Sequence, residues 1–167
     1  MNVEAISPRY LAIMLPAVAD PSGTRTFYLG GLNDYDHEQG INAKHQILGA
    51  EFNTVNTQTA GTVEKWHIYL QKNDGSATII AALSTDTGVA KTWTASDGTA
   101  QTTGAGTAIT AGTPKLFHFT TCINDTILDK DDTLQLVFAD TSNGASASTT
   151  FTAGAVVKIA YAYGKVR

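Results

Sequence analysis

The stretch Gly61–Ser84, GTVEKWHIYLQKNDGSATIIAALS, predicts one complete β-hairpin and decides the fold class of the chain. Trp66, Ile68 and Leu70 occupy every second position, which is the spacing of residues on one face of a β-strand. The Asp74-Gly75 dipeptide supplies the positive φ angles that a tight hairpin turn requires, so the chain should reverse there. We therefore expect two paired strands, with Trp66 packed in the core of the domain.

The same alternation recurs along the chain, and no stretch of the sequence has the periodicity of a helix. Further strands are predicted at Thr24–Leu29, Ala43–Asn53, Ala90–Ala95, Gly106–Thr110, Lys115–Ile123, Thr133–Ala139 and Ala155–Tyr163. Polar loops are predicted at Asn33–Gly40 and Ser142–Ser148, and a turn at Thr126–Asp132. Many short strands with turn signals between them predict an all-β fold: a single-domain antiparallel β-sandwich of the jelly-roll type.

The chain is predicted to begin with an extended arm, Met1–Ser22, followed by the sandwich domain at 23–167. Prolines in the arm exclude a continuous helix, while its apolar residues alternate as in a strand. The apolar run is too short for a typical cleaved secretion signal, so we expect the arm to stay attached. We expect it to dock on its own body or on a neighbouring subunit, and four of its residues are candidate partner contacts: Tyr10, Leu11, Ile13 and Leu15.

Composition restricts the classes of partner. The 167 residues suit one domain, and charged residues make up 16% of them, against about 25% in a typical globular domain. The formal net charge is −4, and no cluster of Lys and Arg could neutralise phosphates, so we expect no nucleic-acid binding. No apolar run approaches the ~20 residues that span a bilayer, so no membrane partner is expected. A weakly charged, Thr- and Ala-rich exterior suits surfaces that become covered.

No residue pattern indicates a reaction centre, a cofactor or a metal. Cys122 is the single cysteine, and its apolar surroundings predict a small buried side chain. The four histidines lack zinc-site spacing, and we interpret His67 and His118 as surface or interface residues. No serine lies in a Gly-x-Ser-x-Gly elbow, and the carboxylates of Glu51 and Glu64 flank no recognisable sugar cleft. We therefore expect a protein that is not an enzyme.

Two acidic loops leave alternatives open. Asp34–Glu38 clusters oxygen ligands that a hard cation such as calcium favours, but solvated loop charge explains it as well. For Asp129–Asp132 a cation site and a structural turn are both open, because aspartates at a turn also accept hydrogen bonds from exposed backbone N–H groups. Asp36 and His37, in the first loop, are candidate partner contacts. Trp93 is a further candidate, for which contact with a sugar or a subunit and burial are both open.

Two segments carry a resemblance to a known family. In His45–Ser84 a strand leads through Gly61-Thr62 into a Trp-bearing strand and an Asn-Asp-Gly-Ser turn. In Ile127–Val166 an acidic turn leads into an alternating strand, and a last strand ends just before the C-terminus. In these features the chain resembles jelly-roll proteins of tailed-phage virions, namely capsid decoration (cement) and head-fibre proteins. Asp131-Asp132 stands where many of them have Gly-Asp.

The resemblance implies a symmetric oligomer, usually a homotrimer, seated on the capsid lattice, and it implies no catalytic residue. The leading hypothesis is thus a virion structural protein, assembled in the host cytoplasm, that binds the major capsid protein on the capsid exterior. Its expected contacts are Met1–Ser22, Asn33–Gly40 and Thr85–Thr113. The competing hypothesis is an adhesin, head-fibre or tail module that binds a receptor or host-surface glycan. A secreted bacterial module is a third possibility.

Overall fold

Alternating burial along the strands divides ten of the twelve described strands between two antiparallel sheets, and the other two form a separate hairpin. The computed structural model describes residues 8–18, 24–30, 43–61, 66–73, 75, 77–129, 131–140 and 152–165. The strands are β1 (Arg9–Met14), β2 (Thr24–Gly30), β3 (Ala43–Asn53), β4 (Trp66–Asn73), β5 (Ala77–Ser84), β6 (Thr92–Thr94), β7 (Ala100–Thr102), β8 (Lys115–Leu116), β9 (His118–Phe119), β10 (Ile127–Leu128), β11 (Thr133–Asp140) and β12 (Val156–Lys165). One short 3-10 helix, Ile123–Thr126, precedes β10.

The order of strands in the two sheets is that of a jelly roll. The first sheet runs β1-β12-β3-β10, with β8 also paired to β3, and the second runs β2-β11-β4-β5-β9. The pairs β1 with β12, β2 with β11, β3 with β10 and β4 with β5 are nested, so the chain is a long hairpin rolled into two layers. This order confirms the predicted all-β, antiparallel, jelly-roll sandwich.

The core lies between the two sheets and is built on aromatic contacts that join them. The ring of Phe138 on β11 lies edge-to-face against Phe27 and Phe52, each at 5.7 Å between centroids, and against Trp66 at 6.1 Å. Phe52 belongs to the first sheet and the other three rings to the second. Such pairs contribute about 0.5–1.5 kcal/mol each beyond the burial of their area. The contact between Phe52 and Phe138 therefore joins the two sheets across the core.

Most of the predicted strands are confirmed with small changes of boundary. In the hairpin, Trp66, Ile68 and Leu70 are fully buried on one face, and β4 pairs with β5. Leu134, Leu136 and Phe138 face inward on β11, and Val157, Ile159 and Tyr161 face inward on β12. The predicted loops Asn33–Gly40 and Ser142–Ser148 lie outside the described residues.

The connection from β5 to β10, residues 85–126, differs from the prediction. Gly106–Thr110 is not a strand, because only Ile109 pairs there, in an isolated bridge with Gln58. The predicted strand Lys115–Ile123 is broken at Phe117, since β8 pairs with β3 of the first sheet and β9 with β5 of the second. Phe117 is buried where the chain changes sheets. The predicted turn at Thr126–Asp132 contains β10, which pairs with β3.

The part of the predicted arm that the structure describes is a strand of the sandwich. Strand β1 pairs with β12 along its whole length, and Leu15 and Val18 are buried in the core. Residues 8–18 therefore dock on the chain's own body, which was one of the two alternatives. The arm's boundary at residue 22 stays a prediction, because it lies outside the described residues.

Gly106 is where the β5–β10 connection crosses the end of β5 most closely. Its N–H donates to the carbonyl oxygen of Asp86 at 2.6 Å. A Cβ at this position would lie 2.4 Å from the Asp86 nitrogen and the Thr85 carbonyl carbon. Because both are backbone atoms, neither can move aside without displacing β5.

Gly106→Ala is therefore expected to lower the free energy of unfolding by about 1–3 kcal/mol or more, as overpacking against a fixed backbone does. Gly49→Ala is the matched control, because a Cβ at Gly49 meets nothing within 4 Å. Urea denaturation of both variants measures the effect. Equal stability of the two variants would contradict the close approach.

Candidate interaction surface

The side of the first sheet that faces away from the core presents three rows of residues, here called the outer face. The middle row runs Ala12, Lys158, Glu51, Leu116 across β1, β12, β3 and β8. The flanking rows run Met14, Val156, Asn53 and Tyr10, Ala160, Gly49 across β1, β12 and β3. The rows arise because alternate residues of β1 turn outward while Leu11 and Ile13 turn towards the core.

The outer face is mostly apolar or small, and its charges are paired. Lys158 Nζ lies 2.9 Å from Glu51 Oε1, and both side chains are partly exposed. An exposed pair of this kind adds little to stability. Tyr10, Met14 and Leu116 around it are strongly exposed, and so is Leu48, at the register shift between β3 and β12. A partner could therefore cover this face without burying an unpaired charge.

The candidate contacts in the arm divide between the two sides of β1. Tyr10 is 73% exposed on the outer face. Leu11 and Ile13 are partly buried against the core, and Leu15 is buried in it. The side chain of Leu15 is therefore part of the core, whereas Tyr10 is available to a partner. Asp36 and His37 lie outside the described residues.

Trp93 lies on a separate hairpin that hydrogen bonds attach to residues 121–125. Strands β6 and β7 pair so that Trp93 and Gln101 are opposite each other. Gln101 Nε2 donates to Thr121 Oγ1 at 2.8 Å, and its Oε1 accepts from the Thr121 N–H at 3.1 Å. The Ser96 N–H at the hairpin tip donates to Asp125 Oδ2 at 3.1 Å. These bonds fix the hairpin's inner side against residues 121–125.

Trp93 is only 9% exposed, so of the two alternatives the structure shows burial. Its Nε1 finds no hydrogen-bond acceptor among the described residues. An open groove of about 490 Å³ runs along the same hairpin, lined by Thr92, Trp93, Thr94, Ala100, Gln101 and Thr102. The tryptophan thus offers no free ring face on which a sugar could stack, and a direct contact with a partner stays a prediction.

His67 corrects one expectation. The sequence predicts a surface or interface residue, but His67 is buried within the chain itself, with Nδ1 3.0 Å from Ser84 Oγ. The reason is that the β5–β10 connection covers part of the second sheet: Lys91 Nζ lies 4.6 Å above the Tyr69 ring. Burial lowers the pKa of Lys91 and raises the pKa of Tyr69. His118, on the far strand of that sheet, is exposed as predicted.

The His67 and Ser84 pair resembles a nucleophile with its base, but its surroundings give it a structural part. Ser84 Oγ also accepts the Asp86 N–H at 3.0 Å, and both Ser84 and Asp86 are buried. Asp86 Oδ1 in turn accepts from the N–H groups of Gly88 and Val89. The cluster fixes the start of the β5–β10 connection, and the Ser84 side chain is buried within it.

The acidic turn Asp129–Asp132 behaves as a backbone cap. Asp132 Oδ2 accepts the Asp129 N–H at 2.8 Å, and Asp129 Oδ1 lies 2.9 Å from Lys44 Nζ. In the part of the chain that the structure describes, no three His, Cys, Asp or Glu side chains come together as metal ligands do. Asp34–Glu38 and Glu64 lie outside the described residues. Cys122 is buried as predicted, with Sγ 3.4 Å from Ser96 Oγ.

Comparisons with known proteins add little to this geometry. No family model and no curated protein matches the chain. A chain in the structure of the infectious bursal disease virus Gx strain is similar at 14% identity and a TM-score of 0.35, with 97% of this chain and 37% of that one covered. For the Gt strain the values are 15% and 0.29, with 93% and 36% covered.

The chain thus spans little more than a third of these virus chains. TM-scores this low do not establish a shared fold. The strand order alone identifies the jelly roll. Among the described residues, no helix has the length and apolar character needed to cross a bilayer.

Two substitutions of Trp93 test the packing of the hairpin. Trp93→Ala should lower the free energy of unfolding by about 3–5 kcal/mol, because it removes a buried aromatic side chain. Trp93→Phe should cost much less, since it keeps a ring and removes the N–H that has no acceptor. Thermal or urea denaturation gives both values. Two variants as stable as the unsubstituted protein would show that the hairpin does not pack through Trp93.

Proposed function

We propose that this chain is a non-enzymatic virion structural protein that binds the exterior of a phage capsid and stabilises it as a decoration (cement) protein. The observation that carries the proposal is the set of large apolar side chains left exposed on a weakly charged jelly roll. Among the described residues these are Tyr10, Met14, Tyr28, Leu48, Val55, Val89, Leu116 and Ile123. Four of them, Tyr10, Met14, Leu48 and Leu116, lie on the outer face of the first sheet, and apolar groups gathered on one exposed face are typical of surfaces that a partner covers.

Four buried polar side chains support the same proposal, because they are engaged in holding loops. Ser84, Asp86, Asp125 and Gln101 each bond to the backbone or side chains of the β5–β10 connection. A rigid body of this kind binds through shape. If it binds the assembled shell better than free capsid subunits, mass action shifts the equilibrium towards the intact shell without any reaction.

The proposed partners are the major capsid protein and other copies of this chain, which the family resemblance implies to be a trimer. The proposed place is the capsid exterior, reached after assembly in the host cytoplasm. The described part of the candidate contact Thr85–Thr113 carries Val89, which is 59% exposed. Because β1 is paired in the sheet and Leu15 is buried, deleting the arm would damage the fold, so point variants are the better test.

The test is co-sedimentation of the purified chain with capsids assembled from the major capsid protein of the same genome. We expect saturable binding and a higher temperature of shell rupture. Val89→Lys should weaken binding, because it places a solvated charge in the interface, whereas Val55→Lys, at a side chain that is 57% exposed elsewhere, should not.

Absence of binding by the unsubstituted, folded chain would overturn the proposal. Equal loss of binding in the Val89 and Val55 variants would remove the assigned contact.

The second candidate is binding of a host-surface glycan, and one observation favours it. Thr92, Thr94 and Thr102 are among the residues that line the groove along the β6–β7 hairpin, and threonine hydroxyls can form hydrogen bonds with sugar hydroxyls. A glycan array separates the two candidates: specific binding that Thr94→Val abolishes supports the adhesin, while no bound glycan supports the capsid protein.

A further inference from the structure

We propose that the outer face of the first sheet binds the same face of a second copy of this chain, about a two-fold axis that runs along the strands between β12 and β3. The inference rests on the proposed function in one respect, the self-association of the chain. It names the surface involved and adds a contact of two copies to any trimer contact.

Charge complementarity identifies the second copy as the partner. Lys158 and Glu51 are directly opposite on β12 and β3 at the centre of the face, and they are its only charged residues in the three described rows. A two-fold axis along the strands exchanges β12 with β3, so Lys158 of each copy lies over Glu51 of the other. An axis across the strands would place Lys158 over Lys158, and like charges at an interface are unfavourable.

The shape of the face agrees with the same axis. The rotation also exchanges β1 with β8, which brings Leu116 of one copy over Ala12 of the other. Ala12 is small and lies in β1 between the exposed side chains of Tyr10 and Met14, so the three residues form a recess. Leu116 is the exposed apolar side chain at the opposite end of the same row. An isologous contact requires such mutual fit, with each element meeting its counterpart twice.

The area of the face is in the size range of weak contacts. Strands about 4.8 Å apart and rows about 7 Å apart give a face of roughly 20 Å by 20 Å. Two copies would together bury on the order of 800 Å², which is the range of weak or transient contacts. We therefore expect a concentration-dependent dimer in solution. The same contact becomes effective where copies are held close together, because the second binding event is then intramolecular.

The test is sedimentation velocity of the full chain over a wide range of concentrations, without capsids. The unsubstituted chain should show a reversible dimerisation step. Lys158→Glu and Glu51→Lys should each lower the association constant at least about tenfold, because the central contacts become like-charged. A one-to-one mixture of the two single variants should form a heterodimer, and the double swap should restore the homodimer.

Two controls separate the face from general effects of charge. Lys44→Glu disrupts the exposed pair of Lys44 with Asp129, outside the three rows, and should leave dimerisation unchanged. Tyr10→Lys should weaken the dimer, whereas Tyr28→Lys should not, although Tyr28 is 75% exposed on the second sheet. Circular dichroism of each variant confirms the fold.

A chain that stays monomeric, or single swaps that associate as the unsubstituted chain does, would overturn the inference. Either result leaves the capsid-binding test unaffected, because that test measures binding to the shell. Loss of capsid binding with dimerisation retained would instead overturn the proposed function alone.

Discussion

The nested pairing of strands is the constraint on which the rest of the structure depends. Strands that are far apart in sequence, β1 and β12, pair side by side in the first sheet. The Phe138 ring joins the two layers, since it packs on Phe52 across the core as well as on Phe27 and Trp66 in its own sheet. Burial of these faces supplies the driving force, and the strand order follows from the need to bury them together.

The two sheets differ in how far the described residues cover their outer sides. The first sheet keeps an open outer face, while the second is partly covered by the β5–β10 connection, which seats Lys91 on Tyr69 and encloses His67 with Ser84. Under the proposed function, this difference between the two sheets would direct association to particular sides of the molecule. The proposed function by contact needs a rigid scaffold, and the buried side chains of Ser84, Asp86 and Asp125 add rigidity by fixing loops.

The sequence predicted the long strands well because their alternation is a local signal. Leu134, Leu136 and Phe138 show which face of β11 is inward without any knowledge of its neighbours. The β5–β10 connection was harder, because its strands are two or three residues long and Phe117 switches between sheets within one apparent run. Likewise the burial of His67 depends on a loop that is distant in sequence, which periodicity does not reveal.

The candidate surface was predictable only in part for the same reason. Alternation in the arm placed Leu11, Ile13 and Leu15 on one face of a strand, but it did not show that this face is turned to the core. The pairing of Lys158 with Glu51 depends on the register between β12 and β3. That register includes a shift between Ala160 and Tyr161, which no single-strand pattern specifies. Leu116 joins the face only because β8 pairs with β3, again a fact of tertiary structure.

Cross-strand nuclear Overhauser effects in the purified, isotope-labelled protein test the central claim, the nested strand order, most directly. The account predicts backbone contacts between Leu11 and Ile159, and contacts of Leu136 with both Phe27 and Leu70. Contacts of β1 with β2 in a simple meander, with none between β1 and β12, would contradict it.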